Sequence, residues 1–292
     1  MLYLIDSSIY IFRAWFSIPD TMVDRDGRPV NAVYGFARFL CDVLGSEQPS
    51  HIAATFDESL TTSFRNEIYP AYKGNRELPP PELEYQLAAC RQLAEAMGIA
   101  CFADSRFEAD DLVGSLAAQY REAANGVTIV SRDKDLAQLL ADDDWFWDFA
   151  AAKRFRGADT LLHYGVHAAQ IADLLALAGD SVDNIPGVSG IGRKTAVALL
   201  TEFGSLKELY ESLDKVEQLS IRGAKRVAGL LEEQRDQAFM CQKLTQIALD
   251  APVAKNLSEL EWALPDSSSL NELLDRLGFG FGLRARLEAL SG

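Results

Sequence analysis

The sequence is short of the residues that build several common kinds of site. Only 3 of its 292 residues are histidine, and its 4 cysteines (positions 41, 90, 101 and 241) show no Cys-x-x-Cys spacing. A zinc site and a disulfide framework are therefore disfavoured, and buried, reduced thiols in a cytoplasmic protein are expected. No apolar run is long enough to span a bilayer, and the first one meets Asp6 at once. Neither a membrane partner nor a signal peptide is expected.

Positive charge is also scarce. The chain has 28 Lys and Arg against 43 Asp and Glu, a formal net charge of −15. Such a balance argues against a protein that binds nucleic acid over its whole surface. The stretch 184–229 is the exception, because it holds seven basic residues against five acidic ones. A nucleic-acid contact, if there is one, is predicted there.

Acidic residues are abundant, and several of them are closely spaced. Three carboxylates fall on about one predicted helical turn, and two further pairs follow along the chain: Glu108, Asp110 and Asp111; Asp133 and Asp135; Asp180 and Asp183. Like charges at such spacing repel, so a cation among them is expected. Oxygen ligands alone suit Mg²⁺ or Mn²⁺. A Ca²⁺ store is disfavoured, because the DxDxDG loop of an EF-hand is absent.

Three predicted strands also end next to an aspartate. The apolar runs Leu2–Ile5, Ile52–Phe56 and Val127–Val130 precede Asp6, Asp57 and Asp133 respectively. Amphipathic helical stretches alternate with these strands, which predicts an α/β fold with a mostly parallel sheet. Ligands of such sheets bind at the carboxyl ends of the strands, so the separate aspartates are expected to converge. Nine carboxylates exceed the needs of one Mg²⁺, which favours two ions.

After about Asp159 the pattern becomes helical. Helices are predicted over Ala168–Ala178, Lys194–Phe203, Ser205–Leu213 and Ile221–Ile247. We therefore predict an α/β domain over residues 1–160 and a helical lobe over residues 161–292.

The segment from Gly187 to Ala196 is the second motif. Glycines at 187, 190 and 192 precede a predicted helix whose first residues are Arg193, Lys194 and Thr195. Exposed N–H groups and the helix dipole at such a terminus favour a phosphate. The motif is not a P-loop, because Arg193 stands where GxxxxGK[ST] requires lysine. A dinucleotide fold is disfavoured because a helix, not a strand, precedes it. A helix-hairpin-helix over about 180–215 that grips the DNA backbone is predicted.

A third stretch, Phe64–Arg76, is rich in cations and aromatic residues. Its cations could contact a phosphate, and Tyr72 could stack on a base. A solvated loop explains the composition equally well.

Together these motifs resemble the 5′-nuclease, or flap endonuclease, superfamily, and within it the bacterial 5′→3′ exonuclease domain. The resemblance runs from Leu2 nearly to the C-terminus and includes Phe12-Arg13, Ala32-Val33-Tyr34-Gly35-Phe36, Tyr69-Pro70-Ala71-Tyr72-Lys73-Gly74-Asn75-Arg76, Glu108-Ala109-Asp110-Asp111, Arg132-Asp133-Lys134-Asp135 and Gly179-Asp180-Ser181-Val182-Asp183-Asn184-Ile185-Pro186-Gly187-Val188. It implies a PIN-like fold with a helix-hairpin-helix lobe. The chain resembles a stand-alone paralogue without polymerase or proofreading domains.

The resemblance also implies roles for individual residues. It places Asp6, Asp57, Glu108, Asp110 and Asp111 in a first metal group and Asp133, Asp135, Asp180 and Asp183 in a second. It implies a helical arch over about 60–81, whose cations Lys73 and Arg76 approach the scissile phosphate. Arg65 and Arg13 match further phosphate contacts, Tyr72 matches an arch aromatic, and Asp111 is also expected in catalysis. The turn with Gly187, Gly190 and Gly192 matches a site that holds K⁺ when DNA is bound.

The expected protein is therefore a monomeric metal-dependent nuclease that cuts DNA at 5′ flaps and 5′ ends, with RNA–DNA hybrids as further substrates. The arch is expected to be mobile without DNA. Two alternatives stay open. One is a non-catalytic binder of DNA structures, and the other is a related nuclease directed at RNA.

Overall fold

A six-stranded sheet lies at the centre of the N-terminal half of the structure, a computed structural model that describes residues 1–58, 62–263 and 267–290. The strands are β1 Leu2–Asp6, β2 His51–Asp57, β3 Ala100–Asp104, β4 Val127–Val130, β5 Trp145–Asp148 and β6 Lys153–Arg156. Their order across the sheet is β3-β2-β1-β4-β5-β6, and every pair is parallel except β5 with β6. The predicted α/β class with a mostly parallel sheet is confirmed.

The central strand β1 is buried on both faces, which explains its continuous apolar sequence. Leu2 and Leu4 belong to a core that includes the helical lobe. Tyr3 and Ile5 point the other way, into a second core. The two-residue period of a strand thus places a hydrophobic layer on each face of the sheet.

Five helices accompany the sheet along the N-terminal half. They are α1 Ser7–Ser17, α2 Asn31–Glu47, α3 Phe64–Ile68, α4 Pro81–Ala96 and α5 Ala109–Tyr120. Helices α1, α2 and α4 contact one another, and α5 contacts β1, β2 and β3. Helix α5 begins immediately after Glu108, so its first turn carries Asp110 and Asp111.

The C-terminal half of the described chain is helical. Its helices are α6 Thr160–Tyr164, α7 Ile171–Ala178, α8 Arg193–Phe203, α9 Leu206–Glu211, α10 Ala224–Glu233, α11 Arg235–Thr245, α12 Ser267–Arg276 and α13 Phe281–Glu288. Helix α7 packs against α8 and α11, whereas α12 and α13 contact α4 and α2. The last two helices therefore pack on the α/β part rather than on the helical lobe. By length and composition no single described helix could cross a membrane, although the bent pair Gly157–Tyr164 and Ala168–Ala178 passes that test.

Several elements differ from the sequence-based expectation. The single helix predicted over Ile221–Ile247 is wrong, because the backbone leaves the helical conformation at Gln234 and separates α10 from α11. Strands β3, β5 and β6 were not predicted. Strand β6 has the sequence Lys-Arg-Phe-Arg and is mostly exposed at the end of the sheet, so it lacks an apolar run. Helix α1 starts directly after β1 with no intervening loop, and its N-cap residue makes no side-chain capping bond.

Candidate active site

The carboxyl ends of the central strands bring aspartates together. Asp6 is the last residue of β1 and Asp57 the last of β2, and these strands are parallel neighbours. Asp133 follows the end of β4, the other neighbour of β1. The Ser131 hydroxyl links two of these groups, since it donates to Asp6 Oδ2 at 2.7 Å and accepts from the Asp133 N–H at 2.9 Å. Sequence reasoning missed Ser131, although its position just after a strand end was a usable signal.

Burial and mutual repulsion change the acidity of this group. Burial first, and then the neighbouring charge of Asp57, raises the pKa of Asp6 to about 7. Burial and the charges of Asp133 and Asp6 raise the pKa of Asp110 well above its ordinary value. Burial and then the charge of Asp133 raise the pKa of Asp135 to about 7. Raised pKa values in neighbouring carboxyl groups indicate that too little positive charge lies near them to stabilise their ionised forms.

Two lysines lie between carboxylates from different parts of the chain. The Lys73 ammonium is 3.0 Å from Glu108 Oε2 and 3.9 Å from Asp183 Oδ2. The Lys134 ammonium is 2.7 Å from Asp180 Oδ2 and 3.2 Å from Asp135 Oδ1. Burial would raise the pKa of Asp180, but the hydrogen bond and charge of Lys134 outweigh it and lower that pKa. Each lysine thus bridges one carboxylate of the α/β part and one of the loop after α7. Lys134 was not among the predicted site residues, although it separates Asp133 from Asp135.

The predicted arch segment is attached to the same loop. The Lys73 N–H donates to the Asp183 carbonyl at 3.0 Å, and the Asn184 amide donates to the Ala71 carbonyl at 2.6 Å. Asn75 donates to the Ser181 carbonyl at 3.0 Å, and Arg76 forms an ion pair with Asp183. Residues 60 and 61 of the predicted arch lie outside the described residues.

Tyr72 does not offer its ring to a base. Its side chain is buried, with 3% of the residue exposed, and its hydroxyl, which has one proton to donate, lies 2.9 Å from Glu108 Oε2 and 3.2 Å from Asp183 Oδ2. The ring of Tyr72 is not placed for stacking on a base in this arrangement, and that role stays a prediction. Its hydroxyl instead orients two carboxylates of the site.

Asp111 and Arg65 are also placed differently from the expectation. Asp111 is fully buried, and both of its oxygens accept hydrogen bonds from the Arg65 guanidinium, at 2.7 and 2.8 Å. Each oxygen accepts a second bond, from the Glu108 N–H at 3.0 Å and the Ala248 N–H at 2.8 Å. Asp111 has no oxygen free for a metal ion, and Arg65, 2% exposed, has no access to a phosphate. The metal and catalytic roles of Asp111 and the phosphate role of Arg65 find no support in this arrangement and stay predictions.

An open cavity lies beside the second group of acids. It has a volume of about 200 Å³ and is lined by Asp133, Lys134, Asp135, Asp180 and Asp183, with Ile9, Arg132 and Val182. Among the described residues, no three Asp, Glu, His or Cys side chains already stand close enough to hold a metal ion. The acids lie near the carboxyl ends of the strands, and the ammonium groups of Lys73 and Lys134 lie between some of them.

The glycine turn joins α7 to α8. Gly187 has a φ of +65°, and a Cβ there would lie 2.3 Å from the Gly179 nitrogen, so only glycine fits. Gly192 is the N-cap of α8, and Arg193 and Lys194 are exposed at its start, with Thr195 half-buried. The Gln234 side chain accepts from the Ser189 N–H at 2.8 Å and donates to the Ser189 carbonyl at 3.2 Å. The turn is therefore rigid, with a helix N-terminus facing solvent. Arg13 is likewise exposed, on α1.

A mostly parallel α/β sheet with carboxylates at its strand ends thus lies next to a helical lobe with an exposed basic helix N-terminus. The family model described as "5′-3′ exonuclease, N-terminal resolvase-like domain" matches residues 1–165. The model described as "5′-3′ exonuclease, C-terminal SAM fold" matches residues 166–268. The chain belongs to the 5′-3′ exonuclease family.

Curated relatives agree with this assignment. DNA polymerase I of Bacillus subtilis is 38% identical over 294 residues, which cover 95% of this chain and 32% of the relative. DNA polymerase I of Mycobacterium leprae is 37% identical over 297 residues, covering 100% of this chain and 32% of the relative. The chain thus spans about a third of the length of these relatives.

Solved structures share the fold. The T5 5′-exonuclease with bound zinc ions superposes with a TM-score of 0.71 at 21% identity, covering 94% of this chain and 99% of that one. The catalytic core of Rad2 in complex with DNA substrate gives a TM-score of 0.65 at 17% identity, covering 99% and 92% of the two chains. At these identities the likeness establishes the fold.

Proposed function

We propose that the chain is a divalent-metal-dependent, structure-specific 5′ nuclease that hydrolyses phosphodiester bonds of DNA near 5′ ends and flap junctions. The observation that carries the proposal is the convergence of carboxylates at the strand ends with lysines between them. Lys73 and Lys134 mark two places where a cation is already stabilised between carboxylates. Family membership supports the same activity, and removal of primers or flaps in DNA replication and repair fits it.

The residues present fit a hard divalent ion. The donors are carboxylate oxygens, which suit Mg²⁺ or Mn²⁺, and the raised pKa values of Asp6 and Asp135 show that the acids lack compensating charge. The residues that would hold two ions are Asp6, Asp57, Glu108, Asp110, Asp133, Asp135, Asp180 and Asp183. Bound ions of this kind supply a nucleophilic water at neutral pH and stabilise charge on the phosphate.

The other side chains act on the substrate directly. If Glu108 and Asp183 held divalent ions, they would no longer need Lys73 and Arg76 as partners, and these two side chains would be free to approach a phosphate. Tyr72 keeps Glu108 and Asp183 oriented through its hydroxyl. Arg13, Gly187, Gly190, Gly192, Arg193, Lys194 and Thr195 are proposed to contact the DNA backbone, which holds the duplex without reading its sequence.

Potassium at the glycine turn has weaker support. The carbonyl of Gly187 already accepts a hydrogen bond from Gln237 at 2.5 Å, and that of Ser189 accepts one from Gln234. These two oxygens are therefore engaged by the protein itself. Flap binding measured in KCl and in NaCl at equal ionic strength tests the K⁺ proposal, which requires tighter binding in KCl.

The remaining features are proposals of the same kind. They are an α/β nuclease domain over 1–160, a helical lobe over 161–292 whose last two helices pack on the α/β part, a monomeric state, a cytoplasmic location and activity on RNA–DNA hybrids. A labelled 5′-flap DNA incubated with Mg²⁺, Mn²⁺ or EDTA tests the central claim, with Asp133→Asn as the inactive variant. Asp143→Asn is the control, because the side chain of Asp143 is 97% exposed and pairs only with Arg156 among the contacts described.

Metal-dependent cuts at the flap junction that Asp133→Asn abolishes would support the nuclease. Tight flap binding without product under any metal would favour the non-catalytic binder instead. Flaps that are identical except for RNA or DNA in the 5′ arm separate the proposed enzyme from a nuclease directed at RNA.

A further inference from the structure

Three separate parts of the chain meet at the buried pair Arg65 and Asp111. Arg65 lies on the short helix α3 and Asp111 in the first turn of α5. The third part is the segment 244–248, at the end of α11 and just after it. The two charged side chains are 3% and 0% exposed, so neither reaches solvent or substrate.

The Arg65 guanidinium connects the two halves of the molecule. It binds both Asp111 oxygens, at 2.7 and 2.8 Å, within the region matched by the N-terminal family model. It also donates to the carbonyls of Leu244 at 2.8 Å and Gln246 at 3.1 Å, which belong to the region matched by the C-terminal model. A planar guanidinium can serve all four acceptors, whereas a lysine ammonium cannot.

The Asp111 carboxylate makes the same kind of connection. It accepts the Glu108 N–H at 3.0 Å within its own helix and the Ala248 N–H at 2.8 Å from the helical lobe. Glu108 and Asp110, on either side of Ala109, are proposed metal ligands. The main chain that carries them is therefore tied to the lobe that carries the turn Gly187–Gly192.

We propose that Arg65 and Asp111 are positioning residues, a joint that fixes the carboxylates of Glu108 and Asp110 relative to the DNA-holding helical lobe and thereby sets where the strand is cut. The proposal rests on the proposed nuclease function and deepens it. The distance between a held duplex and the metal-binding acids determines which phosphate reaches them. The joint is the connection nearest these acids; farther along α5, Ser115 and Tyr120 also bond Ala251 and Ala254.

Stability alone does not explain a buried ion pair. Desolvation of two charges offsets much of their attraction, and apolar residues of similar volume often stabilise a protein equally well. A bidentate, fully satisfied pair does fix one relative arrangement of the segments that it joins. The expected loss on its removal is therefore accuracy of the cut and metal affinity, beyond any loss of folding stability.

The chain offers a matched control for this pair. Asp144 is a buried carboxylate whose side chain is 1% exposed; it pairs with Arg121 at 2.7 Å and accepts the N–H groups of Val127 and Ala141, each at 2.9 Å. All four residues lie within the region of the N-terminal family model. Asp144→Asn therefore removes a comparable pair that does not join the two halves.

The experiment compares Arg65→Lys, Asp111→Asn, the apolar double variant Arg65→Met with Asp111→Leu, and Asp144→Asn. Cut positions on a 5′-flap DNA are read at single-nucleotide resolution, Mg²⁺ binding is measured by calorimetry without DNA, and thermal unfolding reports stability. We expect the Arg65 and Asp111 variants to spread the cuts over neighbouring phosphates and to weaken Mg²⁺ binding by about 10–100-fold. Asp144→Asn is expected to lose thermal stability and keep the wild-type cut position and Mg²⁺ affinity.

Arg65→Lys also separates a joint from a direct ligand role of Asp111. If Asp111 bound the metal, loosening its guanidinium partner would free the carboxylate and strengthen Mg²⁺ binding, which would overturn the proposal. Cut positions and Mg²⁺ affinities equal to those of the wild type in every folded variant would overturn it as well. A wild-type protein that cuts no flap would refute the nuclease function itself, whereas a cutting wild type with unchanged variants refutes only the joint.

Discussion

Asp110 and Asp111 are consecutive residues of one helix turn, yet their surroundings are opposite. Asp111 is enclosed by four hydrogen-bond donors, two of them from the Arg65 guanidinium. Asp110 faces Asp133, Asp6 and Asp57, and burial together with their charges raises its pKa. The same residue type is thus used once to hold the structure together and once in a site that lacks positive charge.

The difference extends to the two regions around these residues. The Arg65–Asp111 region is closed, with every charge matched by the protein. The region of Asp6, Asp110 and Asp133 is incomplete, because its carboxylates repel one another until a cation arrives. A charged side chain in the Arg65–Asp111 region should therefore stabilise the folded protein. A charged side chain in the region of Asp6, Asp110 and Asp133 should destabilise the folded protein and contribute to cation binding.

The largest effect on stability is expected from the closed region. Asp111→Asn removes one charge of a fully buried pair, and losing one partner typically costs about 3–5 kcal/mol because the other charge stays buried. Chemical denaturation of the metal-free protein measures the change. A loss no greater than that of the exposed Asp143→Asn variant would contradict the assignment.

Asp110→Asn is expected to act in the opposite direction on stability. It removes repulsion, so the metal-free protein should unfold at a higher temperature than the wild type. Flap cleavage under saturating DNA should fall by about 10²–10³-fold, as when a group that stabilises the transition state is removed. Lower stability together with retained cleavage would place Asp110 in the closed region instead.

The Lys73 ammonium lies beside Glu108 and Asp183, between the two regions. Replacing Lys73 tests which of the two regions its charge serves. Lys73→Met should reduce single-turnover cleavage by about 10²-fold, since it removes a cation proposed to approach the phosphate. Mg²⁺ affinity should be unchanged or higher, because the ammonium no longer occupies the space beside Glu108. Lys153→Met, at an exposed residue of β6 outside the predicted DNA contacts, is the control.

The pH dependence of stability follows from the raised pKa values. Asp6 and Asp135 have pKa values of about 7 in the folded protein against an ordinary 3.8. Between about pH 4 and pH 7 the folded state binds more protons than the unfolded state, so the free energy of unfolding falls as the pH rises. The Tm of EDTA-treated protein should drop from pH 5 to pH 8, and Mg²⁺ should restore it at pH 8. A Tm that rises over this range without metal would contradict the incomplete site.

The smallest expected effect lies at the glycine turn and the start of α8. Lys194→Ala should lower the salt dependence of flap binding by about one unit of log–log slope, because one phosphate contact releases about one counterion. Cleavage at saturating DNA should be unaffected. Binding titrations at several salt concentrations measure the slope, with Lys153→Ala, at an exposed residue of β6, as the control.

The sequence predicted the central strands because burial on both faces of a sheet demands apolar runs. Leu2–Ile5, Ile52–Phe56 and Val127–Val130 all lie within observed strands. Strands β3 and β6 escaped prediction because they lie at the ends of the sheet, where partial exposure relaxes that demand. The sequence pattern predicts a strand best where both faces of the strand are buried.

The features of the site likewise divide into those that the sequence predicts and those that it does not. The gathering of carboxylates at the strand ends follows from the sequence, because parallel strands of a sheet end at a common side. The sequence also places glycine at 187, and the observed φ of +65° explains why glycine is needed there. The buried pairing of Arg65 with Asp111, the burial of Tyr72 and the position of Lys73 among the acids come from the tertiary fold. Several of these contacts join residues more than 100 positions apart in the chain, such as Arg65 with Leu244 and Asp111 with Ala248. No local sequence pattern specifies such partners.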